Sequence, residues 1–247
     1  MTNLWKSSLR VAGVGLASGL LAMAQQTVSA RPGAVNYIEG SVTLNGQPLS
    51  GSNLRYTEMM PGQVLSTGQG KAEILLTPGV FVRLDDQSAL RMDSPSLTNT
   101  EVTLQKGRAL VEVDQIEKEN RLDIVDNGIH NMLLKKGIYQ FDADRPSVAV
   151  YDGKVTVRVN DQEIDLGKGK ELALTGTPGV RLKAQKFDRN QGGELYAWSK
   201  LRSEYTAQAN LSSAQSILAY NPGWYYGTGW YWNPWYDSWA FVPGASL

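Results

Sequence analysis

The sequence predicts a mainly β protein: a β-roll or sandwich over residues 34–182, then one α-helix, then an aromatic-rich C-terminal ribbon. Three observations carry this. Apolar residues recur at every second position in short runs, which is the period of a strand with one buried face. Glycine-containing turn signals separate those runs every 8–12 residues or so, a spacing typical of sandwiches, rolls and barrels. No apolar pattern of helical length interrupts them until after Phe187.

The first thirty residues read as a signal peptide. Lys6 and Arg10 form a positive start, Val11 to Ala24 is apolar, and Val28 and Ala30 offer small residues for cleavage before Arg31. A cut after Ala24 is the alternative. The apolar run is about 14 residues, short of the roughly 20 that span a bilayer. Export to the periplasm or surface of a bacterium is therefore expected, with no membrane span after cleavage. An uncleaved anchor is the competing reading.

Strand pairs follow. "SVTLNGQPL" places Val42 and Leu44 before Asn45-Gly46, a strong short hairpin signal. "KAEILLTPGVFVRL" gives two strands around Pro78-Gly79, and "EVTLQKGRALVEVD" two around Lys106-Gly107. "SVAVYDGKVTVRV" alternates on both sides of Asp152-Gly153, and the pattern continues through Gly167 and Gly169. After Gly192-Gly193 the spacing of Leu195, Trp198, Leu201 and Tyr205 predicts a helix over 192–220. Its polar face would hold Ser199, Lys200, Arg202, Ser203 and Glu204, and Asn221-Pro222 would stop it.

Composition narrows the function. There are 24 Lys+Arg against 24 Asp+Glu, interspersed, so there is no basic patch for nucleic acid. The absence of cysteine excludes disulfides, thiol catalysis and thiolate metal sites. No phosphate-binding glycine loop, HExxH or GxSxG occurs. His130, the only histidine, reads as a hydrogen-bonded strand or turn residue, since a triad or zinc site needs partners around it. Asp85 and Asp86 would point to opposite faces of a strand, and Asp142 and Asp144 sit beside a loop, so neither pair suggests acid–base catalysis. The expectation is a non-enzyme without metal or cofactor.

Between Gly62 and Leu174 the chain resembles a FecR domain. "GQVLSTGQGKAEILLTPGVFVRLDDQSALRM" carries Gly62, Thr67-Gly68, Ala72, Leu75, Gly79, Leu84 and Ser88 in the family's order. "VTLQKGRALVEV" resembles its strand pair through Leu104 and Gly107. "KKGIYQF" has Gly137 and Phe141, with Ile138 where the family has Thr. "VAVYDGKVTV" and "IDLGKGKEL" add Gly153, Gly167 and Gly169. The resemblance implies a β-roll or sandwich-like domain outside the cytoplasm that works by protein contact. In FecR regulators such a domain receives a signal from an outer-membrane transducer, and a cytoplasmic segment passes it to a sigma factor. Nothing in this sequence resembles that segment, so the expectation is a free-standing exported FecR-domain protein with an envelope protein partner.

The remaining feature is the tail, residues 221–247, with ten Trp, Tyr or Phe among the 24 residues from Asn221 to Gly244. The candidate binding residues are Trp224, Tyr225, Tyr226, Trp230, Tyr231, Trp232, Trp235, Tyr236 and Trp239. Trp and Tyr stack on sugars, sit at membrane interfaces and pack over sheet edges, for the same amphipathic reason. Packing on the domain or a partner, glycan or peptidoglycan binding, and membrane-interface contact all remain open. So many rings exceed what a monomer leaves exposed, so some should be covered.

Overall fold

The structure, a computed structural model, describes residues 31–159, 162–174, 182–220 (side chains to 216) and 229–242. The signal-like segment therefore lies outside the described residues. Strand β1 (Ala34–Leu44) turns into the short β2 (Gln47–Pro48) at Asn45-Gly46, whose φ angles of 49° and 77° are those of a type I′ hairpin. A 3-10 turn over Gly51–Tyr56 leads to the long β3 (Val64–Thr77). Then come β4 (Val80–Leu84), β5 (Ala89–Pro95), β6 (Asn99–Lys106) and β7 (Arg108–Val113). Next are β8 (Arg121–Asp126), β9 (Ile129–Leu133), β10 (Gly137–Asp142) and β11 (Ser147–Asp152). The roll ends with β12 (Lys154–Val159), β13 (Gln162–Gly167), β14 (Lys170–Ala173) and β15 (Gln185–Lys186).

The topology turns on β3. Along one side it pairs with β1 from end to end. Along the other it changes partner: Val64–Ser66 pair with β5, and Ala72–Thr77 pair with β4. One strand thus feeds two halves of a sheet, ordered β13-β12-β9-β8-β6-β5-β3 and β3-β4-β7-β10-β11-β14-β15. Every pairing among the described residues is antiparallel except β6 with β8. The halves close over a single core that includes Ile74, Val82, Leu90, Val102, Val111, Ile124, Phe141, Val150 and Val157.

Two glycine turns have a different role from the hairpins the sequence suggested. β6 and β7 flank Gly107 but do not pair; β6 joins β5 and β8, whereas β7 joins β4 and β10. The same holds for β11 and β12 around Gly153. These are corners where the chain crosses between the two halves. Both glycines have positive φ (73° and 100°), and a Cβ would meet Ser88 at Gly107 and the Tyr139 hydroxyl at Gly153 within 2.2 Å. No other residue type fits there without displacing its neighbour.

The family-like positions Thr67, Ser88 and Gly107 meet at the bend of β3. The Thr67 hydroxyl donates to the Asp85 carbonyl (2.5 Å), and the Ser88 amide donates back to it (2.9 Å). Ser88 Oγ accepts the Arg108 amide (3.0 Å). Short polar side chains are needed here because they satisfy buried backbone groups where the ladder changes partner.

Alternation predicted one buried face per strand, yet every residue of β4 is buried. The second face is covered by helix α1 (Gly193–Tyr220) and by a hairpin of β16 (Gly229–Asn233) and β17 (Ser238–Val242). The aromatic ribbon is thus a β-hairpin where it is described. Among the described residues no helix is long and apolar enough to cross a membrane.

Candidate functional site

The docked helix and hairpin form the chain's most elaborate surface feature, and their seat is polar. Glu73 on β3 and Arg83 on β4 are cross-strand partners, both on the outer face. Glu73 is wholly buried and accepts from Asn36 Nδ2 (2.5 Å), Arg83 Nε (2.6 Å) and Arg202 Nη2 (2.9 Å). Arg83 also pairs with Glu112 of β7, which receives the Ser203 hydroxyl from the helix. Arg202 lies over the Tyr37 ring at 3.9 Å. Burial alone would push the Glu73 carboxyl up, but Arg83 and Arg202 outweigh it and hold Glu73 below its ordinary value. Two carboxylates and two guanidiniums therefore make a neutral cluster between sheet and helix.

This seat corrects the expected helix face. Leu195, Ser199, Arg202, Thr206 and Ala209 are the buried stripe, whereas Leu201 and Tyr205 are each 48% exposed. Apolar spacing pointed to the wrong stripe because the sheet presents charge to the helix, and charge must be met by charge once water is excluded. The helix starts are further fixed by Lys71 Nζ to Glu194 (2.8 Å) and by Trp198 Nε1 to Glu39 (3.0 Å).

The hairpin continues the same connections. Asn36 Oδ1 accepts the Trp239 amide (2.6 Å), and Asn210 Oδ1 on the helix accepts the Phe241 amide (2.6 Å). Asn233 Nδ2 donates to the Ser213 hydroxyl (2.8 Å). Trp230 and Trp239 are buried in a cluster with Ala34, Leu75 and Phe81. Trp230 stands edge-on to Phe81 at 5.4 Å, and Trp232 edge-on to Trp239 at 5.5 Å.

The candidate binding residues are thus divided. Trp230 and Trp239 face the domain, Tyr231 and Trp232 are half-buried, and Tyr236 is at the margin. Trp235 stands out at the hairpin turn, 89% exposed. Trp224, Tyr225 and Tyr226 lie outside the described residues. Beside the hairpin a groove of about 270 Å³ is lined by Phe81, Arg83, Glu112, Asp114, Trp230 and Phe241. Burial, with Glu112 nearby, raises the Asp114 carboxyl above its ordinary value. Arg83 Nη2 is buried at this groove without a hydrogen-bond partner. The sequence reading missed Glu73, Arg83 and Glu112 and placed Arg202 on a solvent face; a glutamate and an arginine set between the core residues Ala72 and Ile74 of β3 and Val82 and Leu84 of β4 were the available signal.

The acids weighed for catalysis are structural neighbours. Asp85 is buried against Lys71 (3.4 Å) and Arg108, while Asp86 is exposed. Asp142 closes β10 and accepts the Arg145 amide (2.8 Å), and Asp144 accepts the Gly107 amide (3.1 Å). His130 is a strand residue bonded through Nδ1 to Asp123 (2.9 Å), in keeping with its sequence reading.

The fold is that of a β-roll domain with an appended helix and hairpin. Residues 63–156 match the family described as "FecR protein", all of them within the roll. The match runs from β3 into β12, leaving α1 and the aromatic hairpin outside it. No curated protein matches the chain. Two crystal structures of a candidate anti-sigma factor from Parabacteroides distasonis ATCC 8503, at 2.50 and 1.65 Å resolution, are similar to it. Both are 17% identical with a TM-score of 0.45, and the matches cover 52% and 55% of this chain. The chain spans 62% and 63% of those structures.

Proposed function

We propose that this protein is an exported, non-catalytic envelope protein whose FecR domain acts by protein–protein contact in signalling or scaffolding. The observation that carries this reading is the divided hairpin. Trp230 and Trp239 lock it to the domain, and Trp235 is held clear of it. A rigidly presented aromatic ring loses little entropy on contact, which is what an interface anchor requires. The helix beside it adds Leu201, Tyr205 and Leu211 as exposed apolar side chains. Export rests on the signal-like first thirty residues, with Arg31 as the first residue after cleavage.

A photo-crosslinking residue at Trp235 in otherwise intact protein, irradiated in the native envelope, should trap a discrete protein partner. The same residue at Leu97, exposed on the β5–β6 turn in the other half of the roll, should not. Equal patterns from both positions, or none from Trp235, would refute the reading. N-terminal sequencing of the same material should begin at Arg31. Glycan or peptidoglycan recognition is the second reading, favoured by the exposure of Trp235. It requires tryptophan fluorescence to shift with soluble cell-wall fragments and the shift to vanish in Trp235→Ala.

A further inference from the structure

On the outer face of the first half, Glu101, Asp123 and His130 bring one donor atom each to within 4.8 Å of one another. The sheet explains why. Glu101 on β6 and Asp123 on β8 are partners in the parallel pair, so their side chains stand side by side on one face. His130 on β9 is opposite Val125 and reaches diagonally to Asp123, placing Nδ1 at 2.9 Å from Oδ2.

The arrangement is unfavourable as a set of protein groups alone. Like charges on adjacent strand positions repel, and one of these carboxylates is 1% exposed. Asp123 Oδ1 is buried with no hydrogen-bond partner. Arg121 is near, but its Nη2 is 3.6 Å away and on the other oxygen, Oδ2. Glu101 has no hydrogen bond or ion pair among the described residues. On the same face Arg158, directly opposite His130, is paired with Glu163, Arg91 with Asp93 and Lys154 with Asp165. A buried oxygen without a donor beside an unpaired carboxylate and an imidazole is a demand for a cation.

We propose that Glu101, Asp123 and His130 form a binding site for a divalent transition cation of the Zn²⁺ type. One imidazole and two carboxylates suit such an ion, whereas Mg²⁺ and Ca²⁺ take oxygen ligands in larger number. Donors on a tetrahedral ion at ~2.0–2.1 Å lie roughly 3.3 Å apart, so the side chains need to close by about 1.5 Å at most. The His130 side chain, 47% exposed, and the half-buried Glu101 can move that far. The same exposure leaves the fourth position open to water. The ion would tie three strands together where the sheet has its parallel seam.

The test is titration of the metal-stripped, tag-free protein with Zn²⁺, followed by calorimetry and by thermal unfolding. His130 is the only histidine, so a histidine tag must be absent. One equivalent of Zn²⁺ should bind and raise Tm, and Mg²⁺ at the same concentration should not. Affinity should fall by about tenfold or more in His130→Ala and in Glu101→Gln. Glu101→Gln keeps the side-chain shape, and matching circular dichroism will show that both variants fold. Absence of stoichiometric binding would overturn the proposal, as would unchanged affinity in both variants or an equal response to Mg²⁺.

Discussion

Replacing Glu73 by Gln tests the idea that a buried charge cluster seats the helix and hairpin. The cluster is balanced, Glu73 and Glu112 against Arg83 and Arg202. After the substitution Arg83 keeps Glu112, but Arg202 is left buried with only the Tyr37 ring. Removing one member of a buried pair costs about 3–5 kcal/mol. At roughly 2–4 °C per kcal/mol for a chain of this size, Tm should drop by roughly 6–20 °C. Thermal unfolding followed by tryptophan fluorescence reads the loss, because Trp230 and Trp239 lie in the adjoining cluster. Hydrogen exchange should increase first along α1. The double variant Glu73→Gln/Arg202→Met restores neutrality and should recover part of the loss. The pH dependence has a definite sign. The Glu73 carboxyl is held below its ordinary value, so its contribution is present above about pH 4.3 and is lost as pH falls through the lower folded value. Glu73→Gln should flatten that acid limb. A Tm within about 2 °C of wild type would refute the reasoning.

Two further outcomes follow from burial. Trp239→Ala should cost about 3–5 kcal/mol by emptying a buried site, while Trp235→Ala at the exposed turn should stay within about 0.5 kcal/mol, both measured by denaturant unfolding. Asp126 carries the opposite pH sign. Burial pushes its carboxyl up to about 7, Asn127 offsets a little, and Asp142 adds to the rise. The folded state holds that proton more tightly than the unfolded chain, so its stability declines between about pH 4 and 7. Asp126→Asn should remove that slope and stabilise the protein by roughly 1–2 kcal/mol at pH 8; an unchanged pH profile would refute the assignment.

Much of the roll was legible because strand alternation and Asn-Gly turns are local signals. Asn45-Gly46 is the hairpin it resembled. Asn127-Gly128, with φ of 50° and 75°, joins β8 to β9 by the same chemistry. What was not legible was partnership. Gly107 and Gly153 look like hairpin turns in the sequence, and nothing local states that the strands on either side part company. The helix misled for a related reason. Leu201 and Tyr205 have the spacing of a core stripe, but Arg202 and Ser199 face a sheet whose Glu73 and Arg83 lie more than a hundred residues earlier. In the aromatic tail, composition indicated that some rings must be covered, and only the register of β16 with β17 sorts Trp230 and Trp239 from Trp235.

The bond from the Trp239 amide to Asn36 spans 203 residues. Closing so long a loop is slow compared with forming a hairpin, and it cannot begin before the distal segment is available. The polar seat on β3, β4 and β7 likewise stays uncovered until α1, at least 80 residues later in the chain, has been made. Until α1 docks, Glu73 and Arg83 face water, and their charge keeps that part of the outer face hydrated beside the apolar Leu75 and Phe81 that the hairpin later covers. The charge cluster that is costly to bury in the finished protein is thus well solvated in the unfinished one.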